Sequence, residues 1–359
     1  MPRSARATTP LPILVEPVFD VKPWGSRRLE SLCGDLPDGL IGEALLTAPG
    51  ARVGSGPESG QTLGDLALSS PHYWCGEQGL RVTGGRMVFP LLAKIIDATE
   101  TLSVQVHPDD ALAATRGLGT GKTEAWHILD AAPGAVVYAG LRDGVEHDAF
   151  RAACGEHEDV SMYLNAIPAS EGMTVVIPAG TVHAIGGGLL LYEIQQPSNV
   201  TYRLNDWGRV GETGAPRPLH HADGFAAMRT HVAPRPAPRV RLTDQRTLLA
   251  ATRYFALEQV ALQISSALTF SLVQSPQVLT ARQGVVEISL KGVPGSIIFS
   301  AGQTVIVPAD TVATLVAGST ATLLRGWVPE LGEDVVEPAQ AADVATGLVM
   351  EPEFGRITP

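Results

Sequence analysis

The hydrophobic pattern along the chain is that of many short strands separated by turns. From Leu40 onward, apolar runs of strand length alternate with clusters of Gly, Pro and Asp. Clear examples are residues 87–96 (MVFPLLAKII) and residues 101–107 (TLSVQVH). Runs of this kind, bounded by turn residues, are typical of antiparallel sheets. The pattern therefore predicts a mainly β fold.

Two stretches have a helical pattern instead. Residues 61–73 begin with Thr62 and Asp65, which have the spacing of a capping box. Residues 146–166 form the second stretch, with a break near Gly155. We expect both as short helical insertions on the β core.

A proline-rich segment divides the chain. Residues 233–240 include APRPAPR and have no apolar period of either kind, which is typical of a linker. The segment predicts a boundary between a catalytic unit over residues 1–232, which carries the helical insertions, and a C-terminal β unit over residues 241–359.

The chain also contains an internal repeat. Residues 172–183 (GMTVVIPAGTVH) recur as residues 302–313 (GQTVIVPADTVA). The two copies predict one shared structural unit. The imidazole of His183 has no counterpart, because position 313 is Ala, so any chemistry that needs this histidine is confined to the first copy.

Composition restricts the classes of partner. The chain has 359 residues, is 45% hydrophobic and 18% charged, and carries a net charge of −11 without a basic cluster, which argues against a nucleic-acid surface. Its three cysteines have no CxxC spacing and indicate neither a disulfide framework nor a thiolate metal site. No run approaches the roughly 18 apolar residues of a membrane span, and the first ten residues lack the apolar stretch of a secretory signal. We expect a cytoplasmic, monomeric protein with a small-molecule partner and no membrane contact.

Four polar residues form a candidate metal site. Gln105 and His107 lie two apart in a predicted strand, so their side chains leave the sheet on one face. Glu124 begins another strand, and His183 follows a Pro-Ala-Gly turn. Two imidazoles, a carboxylate and an amide oxygen suit Zn²⁺, with Mn²⁺ or Co²⁺ as alternatives. By spacing alone, each histidine is equally consistent with a hydrogen-bonded structural residue.

A second group of residues suits an anionic ligand. Lys122 shares a strand face with Glu124, Lys94 precedes the strand of Gln105, and Ser103 lies on the same face as Gln105. Two ammonium groups and a hydroxyl can bind a phosphate monoester. The alternatives are solvated lysines and a hydroxyl that is hydrogen-bonded to the backbone.

One acidic residue interrupts an otherwise apolar strand. Glu193 lies in residues 190–197 (LLYEIQQP), where a carboxylate is costly unless it is paired or functional. Arg203 follows shortly afterwards. The pair predicts either a structural ion pair or two members of an active site.

Taken together, these motifs resemble the type I phosphomannose isomerases. The matching segments occur in family order and are Lys22–Gly25 (KPWG), Phe89–Lys94 (FPLLAK), Leu102–Asp109 (LSVQVHPD), Gly121–Trp126 (GKTEAW), Ile177–His183 (IPAGTVH) and Glu193–Ser198 (EIQQPS) running into Thr201–Arg203 (TYR). Each segment alone is weak, but six in order along the first two thirds of the chain are a strong signal. The repeated unit also looks like the second motif of cupins.

The resemblance implies a fold, an activity and roles for the residues above. The fold would be two cupin-like antiparallel β-sandwich or barrel units, the second without metal ligands. The activity would be the metal-dependent interconversion of mannose 6-phosphate and fructose 6-phosphate through an enediol. The implied roles are metal ligation by Gln105, His107, Glu124 and His183, catalysis by Arg203 and Glu193, and lining of the sugar-phosphate pocket by Lys94, Ser103 and Lys122.

One departure from the family keeps two alternatives open. The family often has Gly-Glu-Ser-Trp where this chain has Gly-Glu-Ala-Leu at residues 42–45, so an expected aromatic contact is missing. The first alternative is an isomerase of another sugar, such as free mannose or a pentose. The second is a non-catalytic metal-binding cupin that senses a sugar phosphate, although such a sensor needs no proton-transfer group.

Overall fold

The protein is mainly β, as predicted. The computed structural model describes residues 9–155, 159–210, 214–229, 234–271, 273–342, 349–351 and 356–358. Within these ranges the strands form four antiparallel sheets and a separate two-stranded ribbon of β24 (Val349–Glu351) and β25 (Arg356–Thr358). No helix in the described ranges is long and apolar enough to cross a bilayer.

Two sheets from the N-terminal part of the chain face each other. The six-stranded sheet consists, in spatial order, of β10 (Thr174–Ile177), β7 (Glu124–Ala131), β12 (Leu189–Gln195), β5 (Leu92–Ala98), β3 (Ile41–Leu45) and β2 (Val18–Ser26). The five-stranded sheet consists of β13 (Tyr202–Asn205), β6 (Val104–Val106), β11 (His183–Ile185), β8 (Val136–Leu141) and β9 (Leu164–Pro168). Apolar residues from both sheets share one buried cluster, which includes Trp126, Val137 and Leu191. The two sheets therefore form a sandwich.

Two further sheets form a second sandwich. The eight-stranded sheet consists of β14 (Val240–Arg241), β15 (Arg246–Ala251), β16 (Ala256–Leu262), β23 (Ala321–Trp327), β18 (Gln277–Gln283), β21 (Thr304–Val307), β1 (Ile13–Glu16) and β4 (Arg52–Val53). The four-stranded sheet consists of β17 (Ala267–Phe270), β22 (Ala313–Ala317), β19 (Val285–Leu290) and β20 (Ser296–Ser300). A second buried cluster, which includes Leu279, Ile288 and Leu323, fills the space between them.

The two sandwiches pack through the six- and eight-stranded sheets. All seven residues of strand β12 (LLLYEIQ) are buried, as expected of a strand that is covered on both faces. Leu191 points into the first sandwich, whereas Tyr192 and Ile194 join a cluster with Leu257 and Leu324 of the eight-stranded sheet. Glu193 is the one charged residue of this strand.

The predicted boundary between units falls where the chain makes several contacts. Ala237 N–H donates to Thr174 O at 2.7 Å, so the segment from residue 234 onward runs beside β10. Strand β1 pairs with β21, so the first strand of the chain lies in a sheet made mostly of C-terminal strands. The division into units over residues 1–232 and 241–359 stays a prediction.

The helices are short and lie around the sheets. They are α1 (Glu30–Cys33), α2 (Leu63–Ser69), α3 (Pro71–Trp74), α4 (Gly76–Val82), α5 (Asp110–Thr115), α6 (His147–Gly155), a 3₁₀ turn (Ser161–Tyr163), α7 (His221–Ala227), a π-helical turn (Gly332–Val336) and α8 (Glu337–Ala341). The predicted capping box is present, because Thr62 N–H donates to Asp65 Oδ2 at 2.9 Å and Asp65 N–H donates to Thr62 Oγ1 at 3.1 Å.

The predicted helix over residues 146–166 is wrong in its second part. Helix α6 ends at Gly155, residues 156–158 lie outside the described ranges, and residues 164–166 belong to β9. There Leu164 pairs with Leu141 of β8, and Ala166 pairs with Tyr138. Pairing with a distant strand outweighs the local pattern at this point.

The two copies of the repeat adopt the same structure, as predicted. Each runs through a strand, a turn and a second strand, namely β10 to β11 and β21 to β22. Gly172 and Gly302 both have positive φ, at 80° and 85°. At the later turn Gly180 has φ 85° and Asp310 has φ 57°, and Asp is one of the few residues that tolerates this conformation.

The second sandwich holds a buried ion cluster at the place that corresponds to Glu193. Strands β12 and β23 both follow the repeat. Glu193 of β12 is in register with Lys94, and Arg325 of β23 is in register with Glu258. Arg325 Nη1 lies 2.8 Å from Glu258 Oε1, and Arg246 Nη2 lies 2.8 Å from the other oxygen. The charges of the cross-strand pair are thus reversed between the two sandwiches.

The paired glycines of the repeat provide a matched test of the fold. An added Cβ at Gly302 would lie 1.3 Å from Leu32 O, whereas at Gly172 the nearest atom is Arg239 Nη1, on a flexible side chain, at 3.2 Å. We expect Gly302→Ala to lower the unfolding free energy by about 3–5 kcal/mol and Gly172→Ala by about 1–2 kcal/mol, since only the first adds a backbone clash to the strain of positive φ. Urea unfolding measures both, and equal losses would contradict the close approach at Leu32.

Candidate metal centre and active site

Side-chain alternation directs several polar residues of the five-stranded sheet into the first sandwich. Val104 and Val106 of β6 pack outward with the cluster that covers the far side of this sheet. Gln105 between them therefore points inward. Gln105 is in register with His183 of β11 on one side and with Arg203 of β13 on the other.

The six-stranded sheet supplies the opposite wall of the site. Glu193 of β12 is in register with Lys94 of β5 and with Trp126 of β7. Two residues along, Gln195 is in register with Glu124. Because residues two apart share a face, all five side chains lie on the face that meets the five-stranded sheet.

Three buried side chains converge between the two sheets. Candidate ligand atoms of His107, Glu124 and His183 all lie within 4.8 Å of one another. His107 Nε2 is 3.5 Å from Glu124 Oε2, and His183 Nε2 is 3.5 Å from Glu124 Oε1. Each of the three residues is at most 1% exposed.

Backbone carbonyls set the orientation of both imidazoles. His107 Nδ1 lies 2.8 Å from Val200 O, and His183 Nδ1 lies 2.8 Å from Thr181 O. A carbonyl only accepts hydrogen bonds, so Nδ1 carries the proton in both rings and Nε2 presents a lone pair. This arrangement is common for histidines that bind metal ions.

The donor set fits a divalent cation. In the described part of the chain, His183 Nε2 and Glu124 Oε1 are buried without a hydrogen-bond partner. A buried carboxylate that faces two imidazole lone pairs is costly without a neighbouring cation. Nitrogen and carboxylate oxygen ligands suit borderline transition ions, and Gln105 beside His183 can add an amide oxygen.

Lys122 brings a positive charge into the same cluster. Its Nζ lies 2.8 Å from Glu124 Oε2, 3.1 Å from His107 Nε2 and 3.9 Å from Glu193 Oε1. Burial alone would raise the pKa of Glu124, but Lys122 and His107 hold that pKa well below its ordinary value. Glu124 is therefore ionised over the whole neutral range.

Glu193 is enclosed by charged and polar partners. Lys94 Nζ lies 3.1 Å from Glu193 Oε1, and Trp126 Nε1–H donates to Glu193 Oε2 at 3.0 Å. Lys94 is also 3.5 Å from Glu43 Oε2. Burial and the charge of Glu124 raise the pKa of Glu193 against the opposing effect of the two lysines. The carboxylate is thus more basic than an ordinary glutamate.

Arg203 does not form the structural ion pair with Glu193 that was one alternative. Among the described ion pairs, Glu193 contacts Lys94 and Lys122, and Arg203 contacts no carboxylate within 4.0 Å. The guanidinium instead donates from Nη1 to Pro218 O at 3.0 Å. Burial, followed by the neighbouring Arg217, lowers the pKa of Arg203. Its positive charge is available to a bound anion or oxyanion.

Comparisons with known proteins agree with this geometry. Residues 52–128 match the family model described as phosphomannose isomerase type I, catalytic domain. The chain is 35% identical over 215 residues to a mannose-6-phosphate isomerase of Streptococcus mutans, a match that spans 58% of this chain and 65% of the relative. It is also 35% identical over 226 residues to a putative mannose-6-phosphate isomerase of Bacillus subtilis, covering 61% of this chain and 68% of the relative. The chain belongs to the type I phosphomannose isomerase family.

The structural comparison extends the likeness beyond the aligned region. The crystal structure of the mannose 6-phosphate isomerase from Bacillus subtilis superposes with a TM-score of 0.75 at 26% identity. It covers 88% of this chain and 99% of that one. Both sandwiches of this phosphomannose isomerase family member are therefore part of the shared fold, as the repeat had indicated.

The structure places the predicted site residues in one region, with different degrees of contact. Side-chain contacts of 3.9 Å or less connect six of them, namely Lys94, His107, Lys122, Glu124, His183 and Glu193. Gln105 and Arg203 join them through strand register. Ser103 is buried, but within the described residues no hydrogen bond links it to the cluster.

Sequence reasoning missed two members of the site. Trp126 lies two residues after Glu124, so the strand period could have revealed that it shares the inner face. Glu43 was noted only as a neighbour of the missing aromatic residue. Its contact with Lys94 depends on the pairing of β3 with β5, which the local sequence does not reveal.

The orientation of the two imidazoles can be checked by titration. Burial, followed by the charge of Lys122, lowers the pKa of His107 to about 3, and burial also lowers the pKa of His183. The His107 ring of the metal-free protein should therefore remain neutral between pH 8 and pH 5, and the His183 ring should take up a proton only below its ordinary pKa, with the proton of each neutral ring on Nδ1. Imidazole ¹⁵N NMR of chelator-treated protein reports the charge and the tautomer.

The same shift has a consequence for stability. Because the folded pKa of His107 lies below the unfolded value, the unfolded chain binds more protons from about pH 6.5 downward. This residue's contribution to stability is therefore present above about pH 6.5 and is lost as the pH falls toward 3. A folded-state midpoint for His107 near pH 6.5 would contradict its buried, carbonyl-bound geometry.

Proposed function

We propose that this protein is a metal-dependent aldose–ketose isomerase that interconverts mannose 6-phosphate and fructose 6-phosphate. The observation that carries the proposal is the buried cluster of His107, Glu124 and His183 beside the enclosed carboxylate of Glu193. The relatives carry the same activity in their names. This chain matches 65% of the length of two of them, one from Bacillus subtilis and one from Streptococcus mutans.

The proposed metal ligands are Gln105, His107, Glu124 and His183. Their mixed nitrogen and oxygen donors favour Zn²⁺, with Mn²⁺ or Co²⁺ as alternatives. When bound, the ion supplies a Lewis acid that polarises the carbonyl and hydroxyl oxygens of the open-chain sugar.

Glu193 is the proposed base. Its carboxylate accepts the proton from C2 of the aldose, the C–H electron pair becomes the C1=C2 bond of an enediol, and O1 takes up a proton. In the second half, C1 regains a proton from Glu193 while the O2 hydroxyl loses one, which leaves the ketose. A raised pKa makes the carboxylate a better proton acceptor near neutral pH. The positive charges of Lys94 and Lys122 oppose this rise in the pKa, so the carboxylate can still be ionised and accept a proton.

Arg203 is proposed to stabilise the oxygen charge that develops in the enediol. It is half-buried, points into the same sandwich and contacts no carboxylate among the described residues. Fixed donors of this kind typically contribute about 10²–10³ in rate. Lys94, Ser103 and Lys122 are proposed to line the phosphate end of the substrate, where the two ammonium groups would be shared with Glu193 and Glu124.

A second candidate function is isomerisation of a different sugar. Leu45 stands where the family often has an aromatic residue, and it is in register with Lys94 at the edge of the site. A smaller side chain there changes the shape of the pocket beside a proposed substrate contact. The sensor alternative is less favoured, because the enclosed Glu193 has no use in binding alone. A cytoplasmic location and a monomeric state remain predictions.

The proposed activity is tested by a coupled assay that follows formation of fructose 6-phosphate from mannose 6-phosphate. We expect turnover that a chelator abolishes and that Zn²⁺, Mn²⁺ or Co²⁺ restores, because the buried donor set needs a cation. Parallel assays with mannose and with pentoses separate the two candidate substrates. Turnover that persists after complete removal of metal would refute metal dependence.

Two substitutions separate metal binding from catalysis. Arg203→Ala should retain metal and lose about 10²–10³ in kcat, whereas His183→Ala should lose both metal and turnover. Metal content is measured by plasma mass spectrometry on the assayed samples. His127→Gln is the matched control, because His127 is also a buried histidine but lies outside the cluster and contacts Thr174. Normal kcat in Arg203→Ala would remove Arg203 from the mechanism.

A further inference from the structure

An almost buried carboxylate with two arginine partners lies three residues after Arg203. The Asp206 side chain is 6% exposed. Its Oδ2 accepts from Arg217 Nε at 2.7 Å while Oδ1 accepts from Arg217 Nη2, so the pair is bidentate. Arg209 Nη2 donates to Oδ1 at 2.7 Å. A bidentate pair restricts the position of both partners more than a single contact does.

The segment over residues 217–220 is hydrogen-bonded to Arg203. Pro218 O accepts from Arg203 Nη1 at 3.0 Å. His220 N–H donates to Arg203 O at 2.7 Å, and Arg203 N–H donates to His220 Nδ1 at 3.0 Å. Residues 217–220 therefore contact Arg203 at its backbone N–H, at its backbone carbonyl and at its guanidinium.

Arg203 depends on this segment for its orientation. The pairing of β13 with β6 shifts register between Arg203 and Asn205, so the strand ladder is irregular at this point. A free arginine side chain loses about 2 kcal/mol of rotamer entropy when it is ordered. Within the described residues, the bond to Pro218 O is the one hydrogen bond that this guanidinium donates. The location of Pro218 in turn follows from the pair between its neighbour Arg217 and Asp206.

We infer that Asp206 and Arg217 are positioning residues, which hold the Pro218 carbonyl against the Arg203 guanidinium and so aim it into the site. This inference rests on the proposed function of Arg203. Neither side chain needs to touch the substrate. A Lys at position 217 keeps the charge but cannot make the bidentate contact, so it should not substitute for Arg.

The test compares Asp206→Asn and Arg217→Lys with the wild type in the mannose 6-phosphate assay. We expect kcat to fall about tenfold, with KM within about twofold and with unchanged metal content. Asp223→Asn is the matched control, because Asp223 on the neighbouring helix α7 pairs with Arg116 and, among the described residues, forms no ion pair or hydrogen bond with Arg203. Its kcat should stay within twofold of the wild type.

A double-mutant cycle distinguishes positioning from a general structural effect. In an Arg203→Ala background, Arg217→Lys should cause no further loss of kcat, because the group that it orients is absent. A full tenfold loss in that background, or a normal kcat in both single variants, would overturn the inference.

The inference can also be judged without turnover. If the wild type is inactive on mannose 6-phosphate and on the other sugars, the proposed function fails. Crystal structures of the wild type and of Arg217→Lys then decide the positioning role. Loss of the Arg203 Nη1 to Pro218 O bond in the variant supports it, and an unchanged bond contradicts it.

Discussion

The burial of one carboxylate against two imidazole lone pairs is the constraint on which the rest of the site depends. Glu124 is fully buried, and the carbonyls of Val200 and Thr181 leave Nε2 of both histidines unprotonated. Three electron-rich groups in a dry interior repel one another unless positive charge stands among them. The nearby Lys122 supplies part of that charge, and a divalent ion is the proposed remainder.

The layered architecture holds these buried polar groups in place. The site lies between two sheets that are each covered on their far side, the five-stranded sheet by α6 and α7 and the six-stranded sheet by the second sandwich. Strand pairing sets the backbone positions of the polar residues before any ligand is present. The side chains of Lys94, Trp126 and Glu193 then lie side by side because their strands are neighbours. Such preorganisation is what electrostatic catalysis requires.

Much of the fold could be predicted from the sequence, because its signals are local. Short apolar runs between turns indicated the β class, the repeat indicated two similar units, and the Thr62 to Asp65 spacing indicated a helix start. The error over residues 164–166 arose where a strand partner, invisible in the local sequence, decided the structure. For the same reason the motifs located most site residues but not their partners. Glu193 meets Lys94 and Trp126 only because β12 lies between β5 and β7.

The two sandwiches compensate buried charge in different ways. Where the first sandwich pairs Glu193 with Lys94 beside the proposed exchangeable ion, the second pairs Glu258 with Arg325, whose guanidinium lies 4.1 Å from the ring centroids of both Phe270 and Trp327. A guanidinium is bound covalently and cannot be diluted away or sequestered. The second sandwich therefore carries this buried cation as part of its own chain. The buried carboxylate of Glu258 thus keeps its positive partner whatever the supply of metal in the surroundings.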